Sequence, residues 1–300
     1  MDTNALSIFV EVAHQGSFST VARTRGIEPS SVSRSIAAIE AQLGERLFQR
    51  TTRKLALTEA GALYLARIAP LIAQIEEAGA EARAIGRGPV GTLRLSVSVA
   101  FGLLRIVPLL GAFGARYPEL TIELLMNDTP ADLVRDGVDL AVRMAPAGEA
   151  NLIATKLIDT HYRVVASPAW CAAHPLAAPE QLAAHAVLRF TLPGFRDRWL
   201  FRDAEERVSR VPVDGPLLLS NALGLRAAAL AGLGPALLAD WMIAGDLAIG
   251  TLIDCLPDWQ VTATEFDTAA WAIYPSRSFL PTKVRVMIDF LRAALAGEPG

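Results

Sequence analysis

Apolar residues recur at helical spacing through the first sixty positions. Leu6, Phe9, Val10 and Ala13 fall at i, i+3, i+4 and i+7, which predicts an amphipathic helix over Thr3 to Gln15 that Gly16 ends. Ser17 or Ser19 can open a shorter second helix carrying Val21 and Ala22. Gly26-Ile27-Glu28-Pro29 then connects tightly to a third helix, whose Val32, Ile36, Ile39 and Leu43 keep one face apolar up to Gly44. Pro29 suits the approach to its first turn, with Ser30 or Ser31 as the cap. At about 100° per residue the opposite face carries Ser30, Arg34 and Ala37, flanked by Ser31 and Ser33. Leu47-Phe48 and Leu55-Ala56-Leu57 read as two short strands, and Arg50, Thr51, Thr52, Arg53 and Lys54 lie between them.

Three helices with a glycine-containing turn before the third make a helix-turn-helix, and the hairpin makes a wing. Small hydroxyl side chains permit close approach to a major groove, and a guanidinium supplies the donor fork that fits guanine O6 and N7. Cations on a β-turn can lie along a phosphate backbone and release its counterions. Ser30, Ser31, Ser33, Arg34, Arg50, Thr51, Thr52, Arg53 and Lys54 are therefore the expected contacts to double-stranded DNA. A serine-rich helix alone, or a cationic turn alone, is usually a solvated surface; the two in this order are far more specific. Charge segregates accordingly. Residues 1–58 hold seven cations against five acids, while the whole chain carries −3, so the remainder is acidic.

From Thr58 a long helix is expected to about Ile85, with Leu65, Ile68, Ile72, Ile75, Ala82 and Ile85 mostly at three- and four-residue steps. Pro70 should bend it and Gly79 weakens its seam. Its stripe needs a partner, either the same helix of a second chain or the helix's own domain. Gly86-Arg-Gly-Pro-Val-Gly91 reads as a linker. Beyond it strands and helices alternate. Leu93 to Val97, Thr121 to Met126, Asp139 to Met144, Tyr162 to Ser167 and Trp271 to Tyr274 read as strands. Leu103, Val107, Leu110 and Phe113 share one helix face; Pro130 to Gly137, Ala222 to Leu233 and Thr282 to Leu295 read as further helices. The chain is thus α/β after its helical start, divided at 1–58, 59–87, 88–91 and 92–300. The last part is large enough to split into two lobes with a ligand cleft between them.

Gly16-Ser-Phe-Ser, Val32-Ser-Arg, Ile39-Glu-x-x-Leu-Gly44, Arg46-Leu-Phe-x-Arg50 and Leu57-Thr-x-x-Gly61 resemble, in order and spacing, the amino-terminal signature of the LysR-type transcriptional regulators. Pro29-Ser30 resembles the subgroup whose recognition helix starts Pro-Ser. Arg25, where the family usually has leucine, and Thr20-Val21, in place of a small pair, depart from it. Gly91-Thr-Leu-Arg-Leu, Phe113-x-x-x-Tyr117-Pro, Gly137-Val-Asp-Leu-Ala-Val-Arg143, Ala166-Ser-Pro168, Ala231-Gly-Leu-Gly234, Tyr274-Pro-Ser and Pro281-x-x-Val-Arg285 resemble the same family's effector domain. The resemblance implies a winged helix-turn-helix, a linker helix that pairs two chains, and a two-lobed, periplasmic-binding-protein-like effector domain. Lobe 1 would be 92–165 with 266–300, and lobe 2 would be 166–265. It further implies a homodimer or homotetramer on an inverted-repeat promoter or operator, with RNA polymerase as a further partner. A small-molecule effector would meet Ser98, Phe101, Thr129, Arg143, Phe190 and Asn221 in the cleft, and Arg143 tilts that effector toward a carboxylate or aromatic acid. Against this, Thr129 and Asn221 can simply cap helices, Arg143 can be a structural ion pair, and the two phenylalanines can be core.

Catalysis finds no support: His14, His161, His174 and His185 are scattered, Cys171 and His174 form one isolated pair, and no Gly-x-Ser-x-Gly or P-loop occurs. No cofactor or metal is expected. Two cysteines give no disulfide framework, which suits a reducing cytoplasm. The start lacks a cationic n-region, and the most apolar stretch picked out, Ala227 to Ala239, is too short to cross a bilayer. A solute-binding protein of the same two-lobed fold is the alternative, and an enzyme on that fold a third; neither needs a recognition helix.

Overall fold

The stripes of the first 58 residues close on one core. In this computed structural model of the chain the described residues are 2–50, 55–83, 88–129, 133, 136–144, 152–275 and 280–296. They fall into two units, Met1–Gly88 and Pro89–Gly300. In the first, helices α1 (Thr3–Gln15), α2 (Phe18–Arg25) and α3 (Pro29–Leu43) precede an antiparallel hairpin of β1 (Phe48–Arg50) and β2 (Leu55–Leu57), then α4 (Glu59–Arg83). Ile8, Phe9, Val12, Val21, Ala22, Val32, Ile36, Ile39, Leu47 and Phe48 are buried together. The Phe9 ring meets Phe48 edge-on at 5.6 Å and Tyr64 at 5.5 Å.

Local chemistry sets the boundaries. Asp2 accepts from the Asn4 amide and Ser17 from the Thr20 amide, while Gly16, Gly26 and Gly44 end α1, α2 and α3 in the left-handed region. At α3 the cap expected from Ser30 or Ser31 falls instead to Glu28, with no side-chain bond. Pro29 already occupies the first helical position, where its missing N–H leaves one fewer donor to satisfy. The Thr58 hydroxyl donates to the Arg46 carbonyl at 2.6 Å and accepts from the Gly61 amide at 2.9 Å, fastening the start of α4 to the chain entering the wing. Ile72 of α4 is buried, and Ser7 of α1 donates to Glu76 at 3.3 Å, so α4 docks on its own unit. It nevertheless leaves Leu63, Leu71 and Ile75 50–65% exposed.

The second unit holds two sheets. Lobe 1 is ordered β4-β3-β5-β15-β6, from β3 (Gly91–Val97), β4 (Leu120–Met126), β5 (Leu140–Arg143), β6 (Leu152–Asp159) and β15 (Ala269–Pro275). Strands β3, β4 and β5 are parallel, and β15 runs antiparallel to its neighbours. Lobe 2 is ordered β10-β9-β14-β7-β12, from β7 (Tyr162–Ala166), β9 (Arg198–Arg202), β10 (Val208–Pro212), β12 (Ala236–Ala239) and β14 (Gln260–Thr262). Strand β13 (Ile253–Asp254) also pairs with β7, and β8 (Arg189–Phe190) with β11 (Leu218–Leu219). The strand 162–166, expected mostly in lobe 1, therefore belongs to lobe 2. The chain crosses at Thr160 and His161, and Thr160 N–H bonds the Thr268 carbonyl of the return crossing at 2.9 Å.

Val99–Arg116 is helical but irregular: a π turn at Gly102–Ile106 and a 3-10 turn at Val107–Leu109 interrupt it. The π turn shifts the buried face to Phe101, Ile106 and Phe113, leaving Leu103 and Val107, expected inward, over 40% exposed. By length and composition this helix, rather than 227–239, is apolar enough to cross a membrane; Phe101, Ile106 and Phe113 instead belong to the lobe 1 core, together with helix Thr282–Ala296.

A Cβ added to Gly61 would lie 2.0 Å from the Leu47 carbonyl oxygen. Gly61→Ala should therefore destabilise the first unit by about 1 to 3 kcal/mol. In a thermal melt of the full chain, the transition of the first unit should fall while that of the second stays in place.

Candidate DNA-reading surface and effector cleft

In the first unit, burial of Val32, Ile36 and Ile39 leaves Ser30, Arg34 and Ala37 exposed, with Ser31 and Ser33 half-buried beside them. Arg34 Nη2 donates to Ser31 Oγ at 3.1 Å, so the guanidinium rests on its own helix one turn back. Glu40, on the same helix, accepts from the amides of Leu47 at 2.8 Å and Phe48 at 3.2 Å, tying the first wing strand to α3. Thr51, Thr52, Arg53 and Lys54 lie outside the described residues; Arg50 pairs through its backbone with Leu55. Arg25, the departure from the family pattern, takes a structural role. It grips Glu11 with both Nε and Nη2, at 2.8 and 2.6 Å, and reaches Asn4 and Ser7 as well. The hydrogen bond it donates to Glu11 raises its pKa above the ordinary guanidinium value.

The second unit encloses a cavity of about 490 Å³ lined by both lobes. Lobe 1 contributes Ser98, Asn127, Asp128 and Arg143; lobe 2 contributes Tyr162, Phe190, Phe195 and Trp241. Arg143, at the end of β5, donates to the Val142 carbonyl at 2.9 Å and to the buried Ser96 hydroxyl at 2.7 Å. Both acceptors are uncharged, and among the described residues no carboxylate lies within ion-pair distance of it. Burial pulls the guanidinium below its usual pKa, and the field of Asp128 offsets part of that. Burial also holds the Tyr162 phenol protonated, its pKa pushed up to about 12. The Trp241 indole N–H is buried without a partner among the described residues.

Asp128 and Asn221 join the lobes. Asn221 Nδ2 donates to Asp128 Oδ2 at 2.6 Å, and Asp128 Oδ1 accepts from the Val99 amide at 3.0 Å. Asn221 Oδ1 meanwhile accepts from the amides of Leu223 and Gly224, capping helix Ala222–Leu230.

Of the six residues expected in the cleft, Ser98, Arg143 and Phe190 line the cavity. Phe101 is fully buried and packs edge-on against Trp241 at 5.1 Å. Thr129 is exposed, its amide bonded to Asn127. Asn221 sits beside the cavity as the cap and bridge just described. Asp128, Tyr162, Phe195 and Trp241 escaped the sequence reading. Asp128 adjoins Thr129, which carries the sequence signal, and Tyr162 heads a strand that belongs to the sheet of lobe 2 rather than to that of lobe 1.

Residues 3–62 match the bacterial regulatory helix-turn-helix protein, lysR family, and residues 86–296 match the LysR substrate binding domain. The transcriptional regulator CrgA of Neisseria meningitidis serogroup C is 34% identical over 97% of both chains. The solved structure of CrgA, a LysR-type transcriptional regulator from Neisseria meningitidis, superposes with a TM-score of 0.62 at 32% identity, covering 99% of this chain and 100% of that one. ArgP from Mycobacterium tuberculosis shares the fold, with a TM-score of 0.71 at 21% identity over 99% and 98% of the two chains. The fold thus defines a LysR-type transcriptional regulator, and the chain belongs to that family. It is a cytoplasmic, non-enzymatic DNA-binding regulator with an effector-binding domain.

Asn221→Ala removes a helix cap and an inter-lobe hydrogen bond together. It should cost about 2 kcal/mol, read as a fall of roughly 4 to 8 °C in the melting midpoint of the second unit. Asn221→Asp keeps the cap but sets two carboxylates face to face, so small-angle scattering should show it widening the cleft with little loss of helix.

Proposed function

We propose that α3 reads base edges in a major groove through Ser30, Ser31, Ser33 and Arg34. The wing residues Arg50, Thr51, Thr52, Arg53 and Lys54 hold the flanking phosphates. Two copies, paired through α4, bind an inverted-repeat operator, and a dimer of dimers extends the contact. The exposed Leu63, Leu71 and Ile75 support the pairing, since apolar side chains left over after docking on α1 have surface to bury.

The effector in this reading is a small carboxylate held between the lobes. The observation that carries it is Arg143, a mostly buried guanidinium that faces the cavity and, among the described residues, hydrogen-bonds only uncharged acceptors. A buried charge without a counter-charge is costly, and a ligand carboxylate supplies one as a bidentate fork. The aromatic rings of Tyr162, Phe190, Phe195 and Trp241 suit a flat apolar body on the same ligand. Ligand that binds one arrangement of the assembly better shifts the spacing of the two reading helices, a coupling typically worth about 1 to 3 kcal/mol.

Arg34→Ala should lose about 1 to 3 kcal/mol on the operator and relax one base position, while losing much less on random duplex. Equal losses on both duplexes in a fluorescence-anisotropy titration would overturn the base-reading role. Arg53→Ala or Lys54→Ala should weaken all duplexes alike and flatten the salt slope by roughly one unit per lost phosphate contact.

For the cleft, a thermal-shift panel of small aromatic and aliphatic carboxylates against their amides should favour the acids. Arg143→Ala should remove the preference, at about 2 kcal/mol. A hit that is bound equally by both proteins would place the effector elsewhere.

A further inference from the structure

Cys171 and Cys255 stand 84 positions apart in sequence, yet their Sγ atoms lie 3.6 Å from each other on the side of lobe 2. Cys171 belongs to the short helix Pro168–Ala173 that follows β7, and Cys255 follows β13, which pairs with β7 through Ile253 and Ala166. The Cys255 amide donates to the Val164 carbonyl at 2.8 Å. Both thiols are therefore held by backbone bonded to one strand, and both are half-buried, neither sealed in the core nor fully open. Among the described residues no three His, Cys, Asp or Glu side chains converge on one point, so the pair is short of the donors of a closed zinc site. The neighbouring His174 is turned away, its Nδ1 on the Trp170 carbonyl at 3.0 Å and its ring stacked on Trp170.

We propose that Cys171 and Cys255 form a reversible oxidation site, closing to an intramolecular disulfide on exposure to a hydroperoxide. Cys171 attacks first: its sulfur takes the terminal oxygen of the hydroperoxide, the O–O bond breaks, and an alcohol, or water from hydrogen peroxide, leaves. Cys255 then attacks the resulting sulfenic sulfur; the S–S bond forms, the S–O bond breaks, and water departs with the thiol proton. The order follows from their surroundings. Burial holds the Cys255 thiol in its protonated form, with Cys171 and the Asp254 carboxylate pushing the same way, which suits a resolving thiol better than an attacking one. Closure from 3.6 Å to the bonded distance of about 2 Å asks only for small movements of a surface helix and a turn.

The test treats the full-length protein with hydrogen peroxide, alkylates it and measures its intact mass. Both thiols should disappear together, the chain should stay single on a non-reducing gel, a peptide joining Cys171 to Cys255 should appear, and dithiothreitol should restore both thiols. Cys255→Ser should leave a sulfenic acid on Cys171 that dimedone captures, whereas Cys171→Ser should keep its thiol roughly ten-fold longer at the same peroxide dose. Two thiols still alkylated in the native protein, a sulfinic acid in place of the linked peptide, or a bond between chains would each overturn the proposal, whatever the variants do.

Discussion

Val32, Ile36 and Ile39 are buried on one side of α3, and a helix with one buried stripe cannot turn about its axis. Each such side chain stabilises the fold by about 1.5 to 3 kcal/mol, so rotating the helix by a quarter turn would forfeit an amount comparable to the whole net stability of a small domain, about 5 to 15 kcal/mol. The outward aim of Ser30 and Arg34 therefore follows from what lies beneath them. The wing inherits the same reference: the Glu40 carboxylate receives two amides of the chain that starts it. One buried stripe thus fixes both the outward face of α3 and the start of the hairpin.

The cleft uses charge where the reading head uses burial. Its cavity holds a guanidinium supported by neutral acceptors and a carboxylate already engaged by an amide N–H and an asparagine. Asp128 lies close enough to steady Arg143 electrically without pairing with it. At hydrogen-bond range the cation meets only neutral acceptors among the described residues, while its charge is partly balanced at longer range. Aromatic walls lower the local dielectric and strengthen whatever ionic contact a ligand makes.

The first unit was legible almost to the residue because its signals are local. Three glycines at helix ends, a serine cap and an apolar step of three or four residues each act within a turn or two. Two details differ there: Pro29 begins α3 rather than preceding it, which moves the cap to Glu28, and β1 runs Phe48–Arg50 rather than over 47–48, which takes Arg50 into the strand. The second unit was legible as a class but less so in detail. Strand β14 pairs antiparallel with β9 and β7 across long sequence gaps, and nothing in 162–166 itself says which sheet it joins. Phe101 and Phe190 carry the same sequence signal, although one is sealed in the core and the other faces the cavity. The π turn adds a residue to one turn of the helix after β3, which no count of 3.6-residue steps anticipates.

Asn221 is held at both ends, its carbonyl oxygen by two amides of its own helix and its amide nitrogen by a carboxylate of the opposite lobe. The neighbours leave no ambiguity about which way the group faces, since donors meet the oxygen and an acceptor meets the nitrogen. Spreading the lobes thus pulls on the first turn of helix Ala222–Leu230, and fraying of that turn slackens the grip between the lobes. The two events become one mechanical unit, so amides at Leu223 and Gly224 would exchange with solvent in step with the breathing of the cleft.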